Sequence, residues 1–85
     1  MMKGETVTIK ARYTNYGETT ARKISISKNI RLEELEYKLR ERFDLSYDKK
    51  IDLYYIDEDN DRVIISFEDE LASAMESSKT PIFEV

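Results

Sequence analysis

Cysteine, histidine and tryptophan are all absent from the 85 residues. Without cysteine and histidine, thiol and Ser/His/Asp catalysis, zinc sites built from those ligands, and a disulfide scaffold are excluded. Glycine occurs twice and proline once, so no flexible linker divides the chain. The expectation is one domain, residues 1–85, whose single core hides about 60 to 65% of the unfolded surface. No apolar run approaches the roughly 18 to 20 residues of a membrane span, and Met1-Met2-Lys3-Gly4-Glu5 lacks the apolar core of a signal peptide. A cytoplasmic domain with no membrane partner is expected.

Charge, by contrast, is plentiful and unevenly placed. Lysine and arginine number 14 against 18 aspartates and glutamates, a net charge of -4, which argues against nucleic acid as a partner. Residues 1–50 hold 12 basic and 8 acidic side chains, whereas residues 51–85 hold 2 and 10. The chain is electrically two-ended, the pattern of either a solvated accident or two faces of a self-complementary surface.

Hydrophobic periodicity sets the element order. Val7, Ile9, Ala11 and Tyr13 alternate with Thr8, Lys10 and Arg12 over Thr6 to Tyr13, which predicts a half-buried strand with Lys10 and Arg12 pointing away from the core. Turn residues over Thr14 to Glu18 lead into a second alternation from Arg22 to Ser27, completing a hairpin. Leu32, Leu35, Leu39 and Phe43 recur at helical spacing and predict an amphipathic helix over residues 31–43. Glu34 with Lys38, and Glu36 with Arg40, stand four apart in the favourable order, so they are expected to pair along its solvated face.

Lys50 to Ile56 and Arg62 to Ile65 are rich in β-branched and aromatic residues and read as two further strands. Ser66 followed by Asp69 suits a loose capping box for a second helix carrying Phe67, Leu71, Ala74 and Met75, which Pro81 would stop. Ile82 to Val85 supplies a last strand whose abrupt end suggests a domain cut from a longer protein. The order ββαββαβ, with helices on one side of a mixed sheet, predicts an α+β domain of the ubiquitin-like, β-grasp class. Glu84-Val85 lacks the Gly-Gly tail of a conjugated modifier, so a ubiquitin-like tag is not expected.

Seven carboxylates crowd between Asp57 and Glu70 against the single cation Arg62. Such a cluster either stays fully hydrated or meets cations. Asp57, Asp59, Asp61 and Glu68 fall at positions 1, 3, 5 and 12 of an EF-hand-like loop, but the sixth place needs glycine and holds Arg62, and a strand precedes it. Calcium is therefore not expected. Carboxylates with no pocket and no second functional type are equally weak grounds for acid–base catalysis, so no catalytic residue, cofactor or metal is expected. The helix dipole accounts for Glu68 and Asp69 at a helix start, yet leaves the alternation Asp57, Asp59, Asp61 without a reason.

The run Tyr55-Ile56-Asp57-Glu58-Asp59-Asn60-Asp61-Arg62-Val63-Ile64-Ile65-Ser66-Phe67-Glu68-Asp69-Glu70-Leu71 resembles the acidic OPCA motif of the Phox/Bem-type (PB-one) interaction domains. Val7-Thr8-Ile9-Lys10-Ala11 and Arg22-Lys23-Ile24-Ser25-Ile26 resemble the basic first and second strands of the same family, so the likeness covers nearly the whole chain. It implies a basic face of Lys10, Arg22 and Lys23, and an acidic face of Asp57, Asp59, Asp61, Glu68 and Glu70. Domains of this family pair front to back, and two-sided members, among them autophagy receptors and signalling scaffolds, chain head to tail. The implied partners are a second copy of the chain or another PB-one domain, with no enzymatic activity. Asn60 departs from the glycine common in the motif, where the turn calls for a positive φ that asparagine tolerates. The alternative expectation is a monomeric ubiquitin-like regulatory domain, as in a kinase, docking a single target through an apolar sheet patch.

Overall fold

The alternation in the first 27 residues builds a long hairpin in the computed structural model, which describes residues 5–85. β1 (Thr6–Asn15) and β2 (Glu18–Ser27) pair antiparallel along their full length, each 10 residues long. Both strands run beyond the alternation that predicts them. The hairpin needs only the two-residue turn Tyr16-Gly17, whose positive φ values of 52° and 81° match the right-handed twist of the flanking strands.

α1 spans Leu32–Arg42 and buries Leu35 and Leu39. It ends in a Schellman arrangement, in which the Leu45 amide donates to the Arg40 carbonyl at 2.7 Å and the Asp44 amide to that of Glu41 at 3.4 Å. Asp44, at φ 57°, occupies the place glycine usually takes. The two expected i, i+4 ion pairs are absent among the described residues. Arg40 instead donates to the Lys49 carbonyl at 3.0 and 3.3 Å, pinning the following loop, and Glu34 accepts the Arg31 amide at 3.2 Å. A backbone donor and a backbone acceptor thus hold Glu34 and Arg40, one charge from each of the two expected pairs.

β3 (Leu53–Ile56) and β4 (Arg62–Ile65) form the second hairpin, α2 spans Glu68–Ser77, and β5 is Ile82–Glu84. β3 is shorter than the β-prone run, because β4 and β5 offer pairing only from Leu53 onward. α2 begins at Phe67 rather than on a Ser66 cap. The Glu70 carboxylate accepts the amides of Ser66 at 2.7 Å and Phe67 at 3.0 Å, so the capping acid is Glu70 and not Asp69. Its last residue, Ser77, precedes Pro81 by a short loop, leaving the proline buried at the start of β5.

The five strands join in the order β2-β1-β5-β3-β4. β5 runs parallel to β1 and antiparallel to β3, so it is the central strand that unites the two hairpins. This is the expected ubiquitin-like β-grasp, ββαββαβ with a mixed sheet and two helices. Ile9, Ala11, Ile24, Ile26, Leu53 and Phe83 from one sheet face form a single buried cluster with Leu35 and Leu39 of α1 and Leu71, Ala74 and Met75 of α2. At about 1.5–3 kcal/mol for each large aliphatic or aromatic side chain, that cluster is the main source of stability. β2 and β4 remain as the two open edges, four strand spacings or about 19 Å apart.

Candidate functional site

The edge at β2 is basic. Lys10 and Lys23 are cross-strand partners on the sheet face away from the helices. The Lys10 amide donates to the Pro81 carbonyl at 2.9 Å, so its backbone points toward β5, and Lys10–Lys23 is a non-hydrogen-bonded pair with side chains close together. Like charges placed directly opposite destabilise a sheet. Neither lysine has an ion-pair partner among the described residues, so both ammonium groups are available to an outside anion.

Arg22 does not join them. It lies opposite Ala11, which is fully buried, so its side chain emerges on the helix side of the edge strand. Neighbours in sequence, Arg22 and Lys23 fall on opposite faces because successive strand side chains alternate. The basic edge therefore carries cations on both faces. Arg12, also basic and on the outer face, is already paired with Glu84 at 2.8 Å, and Glu84 in turn holds Arg62 at 3.2 Å. The Arg62 guanidinium sits 4.2 Å above the Tyr54 ring, which removes the one cation of the acidic segment from competition for its carboxylates.

The opposite edge is acidic. Asp57, Asp59 and Asp61 sit on the turn joining β3 to β4, with carboxylate oxygens within 4.8 Å of one another. The turn is built by Asp57, whose Oδ1 accepts the amides of Asp59 at 3.0 Å and Asp61 at 2.8 Å, while its carbonyl accepts the Asn60 amide at 2.9 Å. Asn60 adopts φ 64°, the positive φ expected of it. Strands flank the turn on both sides and Arg62 opens β4, so the segment is a hairpin and not the helix–loop–helix of an EF-hand.

Glu68 and Glu70 form a second acidic group at the far end of β4. Each has an internal task that sequence reading missed. Glu70 caps α2, and Glu68 reaches the first turn of α1, accepting the Leu32 amide at 3.0 Å and standing 3.9 Å from the Arg31 Nε. Asp69 has no such partner among the described residues and lies exposed beside them, a carboxylate that belongs with this group although the sequence reading left it out of the acidic face. Phe67, 67% exposed at the same place, adds a large apolar surface. The signal that could have found both is their position at the helix start, where side chains next to a capping residue point outward.

The profile of the family described as PB1 domain matches residues 6–82. Comparison with curated protein sequences gives no significant match. Among solved structures, the chain is similar to the cryo-EM structure of an AtNBR1 PB1 filament (L-type), with a TM-score of 0.68 and 22% identity over 92% of this chain and 94% of that one. It is similar to the solution structure of the PB1 domain of Cdc24p (long form), with a TM-score of 0.69 and 16% identity over 92% and 95% of the two chains. A structure of the AtNBR1 PB1 domain gives 0.63 and 17% over 92% and 94%. At these identities the structural likeness establishes the fold.

Proposed function

The chain belongs to the PB1 domain family, a family of protein–protein interaction modules, and on that premise we propose that it self-associates front to back in the cytoplasm, the basic β2 edge of one copy meeting the acidic β4 edge of the next. What supports this reading is the placement of opposite charge on the two open edges of one sheet, with Lys10, Arg22 and Lys23 at one and Asp57, Asp59, Asp61, Glu68 and Glu70 at the other. Two complementary patches at opposite ends of one rigid body cannot satisfy each other within the chain. A heterologous contact of that kind does not close by two-fold symmetry, so it propagates into rings or filaments. A filament is the assembly named for the similar AtNBR1 domain. Hetero-pairing with another PB1 domain uses the same two surfaces, and scaffolding in selective autophagy or signalling is the role such chains would serve.

Individually exposed ion pairs contribute about 0–1 kcal/mol, so affinity depends on several of them acting together and on low ionic strength. Light scattering with size-exclusion chromatography, over a range of protein concentration at low and high salt, tests the reading on the unmodified chain and on Lys10→Ala. Growth with concentration that both salt and the substitution suppress is the expected result. A monomer of 10.1 kDa under every condition refutes self-assembly. That outcome would favour docking of a single target on the helix-free sheet face, where Ile64 is 45% exposed, with binding little affected by salt.

A further inference from the structure

Across the helix-free face of the sheet runs a row of alternating charge, Arg12 on β1, Glu84 on β5 and Arg62 on β4. Glu84 lies opposite Arg12 on one neighbouring strand and opposite Tyr54 on the other, so the central strand offers its single carboxylate to both hairpins. Each oxygen has its own guanidinium: Oε2 accepts from Arg12 at 2.8 Å, and Oε1 stands 3.2 Å from the Arg62 Nε. The side chains of Arg12 and Glu84 are 32% and 27% exposed, which limits the screening of this pair by solvent ions. The Arg12 Nε is buried without an acceptor, so among the described residues Glu84 alone fixes that guanidinium. Tyr54 supports the other one, with its ring 4.2 Å below Arg62.

Resting on the front-to-back reading above, we infer that Glu84 is a positioning residue that keeps the two poles of the chain distinct. Arg62 follows Asp61 directly and opposes Ile56, the residue before Asp57, so a released Arg62 has the carboxylates of the turn within reach. Pairing inside one chain needs no second molecule, and a tethered guanidinium would therefore compete at high effective concentration with any cation brought by another copy. Holding Arg62 on Glu84 and Tyr54 keeps the acidic pole from neutralising itself. Arg12 lies two residues beyond Lys10 on the same strand face, beside the Lys10–Lys23 pair. Released, it would add a third cation to that face and make the basic pole stronger. Loss of one carboxylate at the centre of the sheet thus acts with opposite sign on the two poles. In an array of identical chains the two effects offset each other, and one-sided chains are needed to see them.

A pair of variants that stops at a dimer isolates one junction. One partner carries Lys10→Ala, Arg22→Ala and Lys23→Ala and keeps only its acidic edge; the other carries Asp59→Ala and Asp61→Ala and keeps only its basic edge. Titration calorimetry of the two measures a single contact. Glu84→Gln in the acidic-edge partner is expected to weaken binding about threefold, and the same substitution in the basic-edge partner to tighten it about twofold. Removing a negative charge that acted merely through space would give the same signs, so Arg62→Gln decides between them. In an acidic-edge partner that already carries Arg62→Gln, Glu84→Gln is expected to cost nothing, the non-additivity of two groups in contact. An undiminished loss in that background, or the absence of the first loss or of the gain, overturns the assignment while leaving front-to-back pairing intact. Absence of any binding between the parent pair overturns both. Circular dichroism checks the fold. Should Glu84→Gln unfold the chain, Tyr54→Leu loosens Arg62 without altering any charge; it is expected to weaken the acidic-edge partner about twofold and leave the basic-edge partner unchanged, and equal binding by the substituted and parent acidic-edge chains overturns the assignment.

Discussion

The Glu68 carboxylate accepts the backbone amide of Leu32, 36 residues earlier in the chain, at 3.0 and 3.3 Å from its two oxygens. One anion thus serves the starts of both helices, as the first residue of α2 and as the tertiary cap of α1. α1 begins after Arg31, a side chain with no acceptor to offer, so the helix relies on a carboxylate from another element for this amide.

Loss of that cap should be visible as stability and not only as association. In the Lys10→Ala background, where growth is expected to be suppressed, Glu68→Ala is expected to lower the free energy of unfolding by about 1 kcal/mol, and Glu68→Gln, which keeps an acceptor oxygen, by less. Urea titration followed by circular dichroism makes the comparison. Equal stability of both variants and their parent would show that the Leu32 contact is energetically idle.

The aspartates of the turn are not equivalent. The Asp57 carboxylate accepts two backbone amides through one oxygen, whereas no backbone amide donates to the carboxylate of Asp59 or Asp61 among the described residues. Asp57→Ala is expected to cost about 1 kcal/mol of stability as well as partner binding, while Asp59→Ala reduces binding at nearly unchanged stability. Thermal melts set beside the calorimetric affinity of each variant separate the two effects; identical melts for both would contradict the assigned role of Asp57.

Glu70 allows the opposite separation. Its Oε1 caps the Ser66 and Phe67 amides, a task glutamine performs without charge. Glu70→Gln should therefore melt within a degree or two of the unmodified chain yet bind its basic partner more weakly, by about threefold for one partly exposed charge. A large loss of stability would mean that the ionised form is required for the cap.

Scarcity of glycine leaves left-handed backbone positions to other residues: Tyr16, Asp44 and Asn60 all have positive φ. Asparagine and aspartate adopt that conformation readily and tyrosine does not. Tyr16 is 98% exposed and packs on nothing that would compensate. Tyr16→Asn, giving Asn-Gly at the hairpin turn, is expected to stabilise the chain by on the order of 0.5–1 kcal/mol and raise its melting temperature by a few degrees. An unchanged or lower melting temperature would count against strain at this turn.

Much of this fold was legible in the sequence because its periods are clean. The alternation of Val7, Ile9 and Ala11, the helical spacing of Leu32, Leu35 and Leu39, and the short run Arg62 to Ile65 each had one sensible reading. What escaped depended on partners distant in sequence. The start of β3 follows from where β4 and β5 stop, the Glu68 contact from a helix 36 residues away, and the fate of Arg40 from a loop carbonyl. For the charged residues, identity was readable but grouping was not: adjacency in Arg22-Lys23 suggests one patch, and the pleat separates them onto two faces. Conversely, Arg12 resembles Lys10 in the alternating pattern, and only the folded chain shows that Glu84 has already claimed it.

The last strand in the chain is the middle strand of the sheet. β5 contributes only Ile82–Glu84, yet among the described residues the β1–β2 and β3–β4 hairpins meet in hydrogen-bonded pairing solely through it. Until those three residues dock, each hairpin is a separate ribbon, too small to persist by itself in water. Closing the sheet then joins segments more than 60 residues apart, a non-local step that slows folding relative to a helical protein of the same size. Positive and negative poles consequently acquire a fixed separation and a fixed relative direction in a single cooperative event. A half-folded chain carries the same charges without that polarity, and so has nothing from which an ordered array could be extended.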